Sequence, residues 1–298
     1  MKRSLRSVCM VVAIALGAVF HGVLGECNAY LPYGVGAMLF ITFMGVHVEE
    51  MKPRWLHCWI LAAIPLLALT YWFVARASGF PVLAESLFYC AAAPIAVASP
   101  VIVQLLRGNV EFSTTAMLLS HASFALTMPL LLPLLLDAPD LTYAELAVLV
   151  AKQLGAVLLL PSLLAFAVRW MYPPSRAWTS KLADVSLGLW CVNLAIIAAW
   201  GTQHLMESGV GLNALVSLGL GALAVCAAGF VLGYRMGYPI LKRECSQALG
   251  QKNTILVLYI AAQPYSHPLA YVGPVFYIFF HNFANSVQIF LASREKKR

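Results

Sequence analysis

Apolar runs of about twenty residues recur along this chain, and each is long enough to cross a hydrocarbon layer about 30 Å thick as one helix. No other feature constrains the fold as tightly. Inside lipid every backbone polar group must be paired within the structure, which leaves helices or a closed barrel. A barrel would show alternating segments of about ten residues, and the chain has none of that pattern. Hydrophobic residues make up 61% of the 298 positions and charged residues 10%, against about 25% charged in globular domains. The expected fold is an all-α polytopic membrane protein forming one integral domain over 1–298. About ten spans are read, near 7–25, 30–47, 55–75, 83–106, 112–136, 143–168, 183–201, 210–234, 243–263 and 268–292.

The charges orient these spans. Lys2, Arg3 and Arg6 precede the first, Lys52 and Arg54 follow the second, and Arg107 follows the fourth. Arg169, Arg176 and Lys181 follow the sixth, Arg235, Lys242 and Arg243 the eighth, and Arg294, Lys296, Lys297 and Arg298 close the chain. With ten spans all of these fall on one side. The opposite loops carry Glu26, Asp137, Asp140 and Glu207, with Arg76 their one cation. The positive-inside rule then expects a multi-pass cell-membrane protein with both termini cytoplasmic. The net charge of +7 is this topological signal and no indication of nucleic-acid binding. The basic start followed by Val8 to Phe20 also fits a secretory signal peptide. That alternative would leave nine spans and upset the charge alternation. The seven cysteines show no metal-type spacing with histidine, so neither a metal nor a cofactor is expected.

The ten spans divide evenly at 137–142, giving repeats of about 7–136 and 143–292. Five spans per half means that, if the halves are related, the second enters the membrane inverted, an architecture that secondary transporters use. It also predicts an interruption in the fourth span of each half. Span four holds Pro94 and Pro100, each lacking a backbone donor. Span nine holds Gly250, Gln251, Lys252 and Asn253. A full charge at mid-membrane costs roughly 2.5–3.5 kcal/mol on insertion scales, so Lys252 is expected in a protein-enclosed, watery site.

These segments, read in order, resemble the bile acid:sodium symporter family. The resemblance runs through Gly36 to Glu49 with Phe43-Met44-Gly45, and Pro94 through Arg107-Gly108-Asn109-Val110 and Ser113 to Pro129. It continues through Arg243 to Gly250, Asn253 and His281-Asn282, with Pro65 and Pro161 in spans three and six. It implies ten helices with broken, crossing helices four and nine, and uptake of organic anions with sodium. It also places Asn253, His281 and Asn282 near the anion.

The chain departs from the family pattern at the places where the resemblance would put sodium ligands. Ala248 and Lys252 replace a glutamate and a glutamine, and Ser99-Pro100 replaces Ser-Asn. Met117 and His121 replace hydroxyl residues, and Ile60 replaces a glutamine. Sodium, a hard cation, needs several oxygen ligands, by the logic of calcium and magnesium sites. Alanine, methionine and isoleucine side chains supply none, and a lysine ammonium repels the ion. An ammonium at Lys252, or a protonated His121, is expected to take the ion's place. Histidine titrates at ~6.5 and desolvated lysine falls below about 10.4, so either can carry a proton.

The candidate ion-coupling residues are therefore Lys252, His121 and Ser120. The candidate substrate-binding residues are Ser99, Pro100, Gly250, Gln251, Asn253, His281 and Asn282. The expected function is sodium-independent secondary transport of a small organic anion, proton-coupled or facilitative, with membrane lipid the other expected partner. A sodium symporter with a relocated ion site and a non-transporting, receptor-like homologue stand as alternatives. No paired acids or nucleophilic triad lie at membrane depth, so no enzyme is expected. Lys152 with Gln153 reads as interfacial snorkelling, and Trp55, Trp59, Trp72, Trp170 and Trp200 as interfacial anchors.

Overall fold

A computed structural model describes residues 3–136, 159–207, 209–261 and 266–294, with Ala144, Val148, Ala151, Lys152 and Gly155 between them. The 137–142 divide with Asp137 and Asp140, part of the sixth expected span with Gln153, and Lys2, Lys296, Lys297 and Arg298 lie outside the described residues. Among the described residues, twelve helices of seven or more residues carry the architecture. They are α1 (Arg3–Val19), α2 (Leu31–Phe43), α3 (Trp55–Ala77), α4 (Pro81–Ala92), α5 (Ser99–Leu105) and α6 (Val110–Leu135). The second group is α7 (Leu160–Met171), α8 (Ala183–Glu207), α9 (Leu212–Met236), α10 (Lys242–Gly250), α11 (Thr254–Ala261) and α12 (Val272–Arg294). Among the described residues there is no β-strand, only one isolated bridge between Ile95 and Lys252.

Among the described residues, five helices are long and apolar enough to cross a membrane: Trp55–Ala77, Val110–Leu135, Asp184–Glu207, Leu212–Met236 and Val272–Ala292. A sixth crossing is available if Val8–Val19 and His21–Phe43, which meet at an 88° bend, count as one span. Among the described residues there are therefore fewer long helices than the ten expected spans. Spans four and nine are each split into pieces too short to cross alone, and the first two meet at a bend. The outward faces are apolar: Leu66, Phe73, Leu130, Leu134 and Leu220 are each more than half exposed. Such a belt is costly in water and favourable in lipid, and we read the chain as an integral membrane protein.

Local chemistry fixes the helix ends. Proline stands in the first turn of α2, α4, α5 and α7, where its missing N–H is one that a helix start leaves unbonded anyway. Asn109 caps α6, its side chain accepting from Phe112 N at 2.7 Å. Pro65, Pro129 and Pro133 lie inside α3 and α6, which continue through them. Trp55, Trp59 and Trp170 are exposed as interfacial anchors would be, but Trp72 is buried, with the Arg76 guanidinium 5.2 Å from its ring centre. Its position on the inner face of α3, among Phe88 and Phe124, overrides the anchor expectation.

The apolar interior has three main parts. One gathers Phe88, Tyr89, Phe124, Phe230, Ile260 and Tyr277. A second holds Leu39, Ile60, Ile95, Met117, Ala248 and Leu249. The third joins α1 to α5, α8 and α12 through Met10, Ile102, Trp190 and Ile289. The buried Arg169 at the end of α7 donates to the carbonyls of Phe43 and Val46, tying α7 to the chain leaving α2.

Glycines bring α10 onto α9 at backbone distance. A Cβ at Gly233 would lie 2.1 Å from the Cys245 carbonyl oxygen, and one at Gly229 would lie 2.7 Å from that of Leu249. This small-residue face is how membrane helices gain dispersion contact without a hydrophobic drive. Gly233→Ala is expected to cost about 1–3 kcal/mol through forced backbone shifts. Gly188→Ala, where nothing lies within 4 Å, should be neutral or slightly stabilising through helix propensity. Melting temperatures of the two purified variants in detergent check this pair.

Candidate functional site

Two helices stop in mid-bundle and their loose ends pair with each other. Pro94 disfavours helical geometry in its predecessor, and Ala93 duly adopts φ −49° and ψ 137°, ending α4. The chain turns helical again at Ser99. On the other side α10 ends at Gly250, Gln251 is extended at φ −98° and ψ 106°, and α11 starts at Thr254. The exposed peptide groups meet antiparallel. Ala96 N donates to Gln251 O at 2.9 Å, and Asn253 N donates to Pro94 O at 2.8 Å. Ser120 Oγ accepts from Ile95 N at 3.1 Å and donates to Met117 O at 2.8 Å. The Tyr277 hydroxyl donates to Gly250 O at 2.9 Å.

The buried His121 locks this crossing to α6. Its Nδ1 lies 2.9 Å from Met117 O, which can only accept, so Nδ1 carries the proton. Nε2 is then an acceptor and receives Asn253 Nδ2–H at 3.1 Å. Asn253 Oδ1 faces Leu256 N at 3.4 Å, at the first turn of α11. One asparagine thus links the histidine to a helix start.

A cavity of about 400 Å³ opens beside the crossing. Gln251, Lys252, Asn253, His281 and Asn282 line it together, five of the ten residues that the sequence marked. Lys252 is 3% exposed, and among the described residues its Nζ has no hydrogen-bond partner. Ser99, Pro100, Gly250, Ser120 and His121 do not line the cavity. Ser99 is paired with Ser113 at 3.4 Å, Pro100 is buried in the first turn of α5, and Gly250 packs under the Phe230 ring. Ser120 and His121 hold the crossing from behind, through Ile95 and Asn253.

Among the lining residues that the sequence reading did not place in the site, Lys152 and Trp190 bear most on its chemistry. Lys152, read as snorkelling, lines the cavity as a second cation. Trp190 also lines it, and its buried Nε1–H has no partner among the described residues. Neither carries a local signal, because the pattern around each is that of an ordinary apolar helix. The rest of the wall is mainly apolar, with Leu31, Val35, Ile197 and Ile278, and no described lining residue is Asp or Glu.

Three of the positions where resemblance expects sodium ligands carry apolar side chains. Ile60, Met117 and Ala248 belong to one buried apolar cluster with Ile64, Ile95 and Leu249. Deleting one partner of the His121–Asn253 bond leaves the other unpaired and buried, at a cost of about 1–3 kcal/mol. His121→Phe and Asn253→Leu should each lower stability by that order, and the double variant by clearly less than their sum. Thermal melts of the four proteins measure the coupling. No protein-family model matches the chain, and no curated protein matches it.

Proposed function

We propose that this chain is a secondary transporter of small organic anions, built from ten spans in two inverted halves and working without sodium. The observation that carries the reading is the crossing itself, two interrupted helices bridged at Ile95 and Lys252 on the edge of a cavity. Interrupted helices at mid-membrane give backbone groups and helix ends to a solute, and irregular backbone at that depth is tolerated where it lines a cavity. The resemblance to the bile acid:sodium symporter family points the same way, with α4–α5 and α10–α11 in the roles of broken spans four and nine. Both termini are then cytoplasmic, on the side of the basic loops.

The cavity's chemistry selects the solute. Lys252 and Lys152 are its cations, and the indole N–H of Trp190 and the amide of Gln251 add unpaired donors. An unpaired buried ammonium costs several kcal/mol, and an anion beside it offsets that cost. The apolar wall suits a hydrocarbon body attached to the charge. The apolar packing of Ile60, Met117 and Ala248 supports sodium independence, leaving proton coupling through Lys252 or His121, or facilitated exchange.

Uptake of an organic-anion panel into proteoliposomes, with sodium and proton gradients imposed separately, tests this reading. Uptake should proceed without sodium and fall at least about tenfold in Lys252→Met, the loss that about 1.4 kcal/mol of binding produces. Uptake driven by sodium alone would contradict the ion assignment. A folded protein that moves no anion under any gradient would contradict transport and favour a receptor.

A further inference from the structure

A row of buried amides runs from the cavity along the facing sides of α10 and α12. On α12, His281, Asn282 and Asn285 are buried and Gln288 is half-buried, at the spacing of one helix face. On α10, Gln247 lies one turn before Gln251, and both are buried. Gln247 Nε2 donates to Asn285 Oδ1 at 3.0 Å and to Gln288 Oε1 at 3.1 Å. Gln288 Nε2 donates to Ser246 Oγ at 3.3 Å, and Ser246 Oγ donates to the Phe230 carbonyl at 3.0 Å. Both helices pack on α9 far more closely than on each other. Long side chains, not backbone contact, fill the space between them.

The hydrogen bonds leave much of the row unmet. Gln247 Oε1, Asn285 Nδ2, both side-chain polar atoms of Gln251, Asn282 Oδ1, His281 Nδ1 and Lys252 Nζ have no partner among the described residues. Each such buried group costs about 1–3 kcal/mol if nothing satisfies it, so a dry row of this length would be severely destabilising. The unmet groups are of both signs. An anion would meet the carbonyl oxygens of Gln247 and Asn282, and a cation would meet Lys252. A small neutral molecule that both donates and accepts fits every position, and water bridging two to four polar groups is the usual occupant of such spaces. A static amide clasp would instead pair donors with acceptors, as Gln247 fails to do with its own oxygen.

We propose that the α10–α12 amide row is a water-binding slot. It extends the cavity toward the end of the bundle where α10 begins and α12 ends, and Gln247, held by Asn285 and Gln288, closes it. This gives Lys252 and His281 solvent, and hence protons, from the side bearing Lys242 and Arg243. The inference concerns hydration and holds whether or not the chain transports an anion.

Cysteine reactivity tests it. Asn285→Cys is treated in membrane vesicles of either orientation with a cationic, membrane-impermeant methanethiosulfonate, and modification is followed site by site by mass spectrometry. The native Cys90 and Cys226, both buried among apolar side chains, are the internal controls. The introduced thiol should react at least about tenfold faster than the controls, when reagent is added on the side where α10 begins. Ser246→Cys, a near-isosteric change in the same row, gives the same reading should Asn285→Cys fail to fold. Reaction no faster than Cys226 in either variant, or only from the opposite side, overturns the slot. Adding Gln247→Ala should speed the reaction further, and an unchanged rate overturns the closure by Gln247.

Discussion

Two backbone hydrogen bonds between interrupted helices hold this structure's centre together, Ala96 to Gln251 and Asn253 to Pro94. In lipid an unpaired peptide group costs several kcal/mol, so a helix that stops in mid-membrane must find partners at once. Here each break supplies the partners of the other. That mutual dependence fixes the position of α4–α5 relative to α10–α11, and with it the placement of Lys252, Asn253 and the cavity beside them. From α6 and α12, Ser120 then accepts from Ile95 N, Tyr277 donates to Gly250 O, and His121 accepts from the Asn253 side chain.

The crossing also explains why polar chemistry concentrates on one side of it. Toward the second apolar cluster stand Ile60, Met117 and Ala248, whose side chains offer no oxygen to a hard cation. Toward the cavity, Lys252, Gln251, His281 and Asn282 keep polar atoms without a partner among the described residues at almost full burial. Buried charge and unmet amides are expensive, and their clustering where the backbone is already irregular supports the polar guest proposed above. The glycine face of α9 lets α10 pack at backbone distance beside this arrangement.

Much of this was legible in the sequence, for reasons that differ by residue. Pro94, Pro100 and Gly250 act through their own backbone chemistry, so the breaks in spans four and nine could be read locally. Lys252 stood out because a charge in apolar sequence is rare. The bridge between Ile95 and Lys252 was not legible, because it joins segments far apart in the chain and leaves no local trace. Lys152 and Trp190 were missed for the same reason, since a cavity between several helices takes its wall from residues with no common pattern. Ser99, Pro100 and Gly250 were placed in the site because they mark the breaks. In the fold they build the helix ends, and their neighbours Gln251 to Asn253 face the cavity. Trp72 shows the opposite case, an aromatic read as an anchor whose helix face turned it inward.

Whether the crossing presents Lys252 to an anionic guest is decided by equilibrium stabilisation. The purified protein in detergent, free of sodium, is melted against a panel of organic anions alongside Lys252→Met. At least one anion should raise the melting temperature of the native chain in a saturable way and leave the variant unmoved. If no anion stabilises the native chain, or if one stabilises both proteins equally, the crossing is not an anion site centred on Lys252.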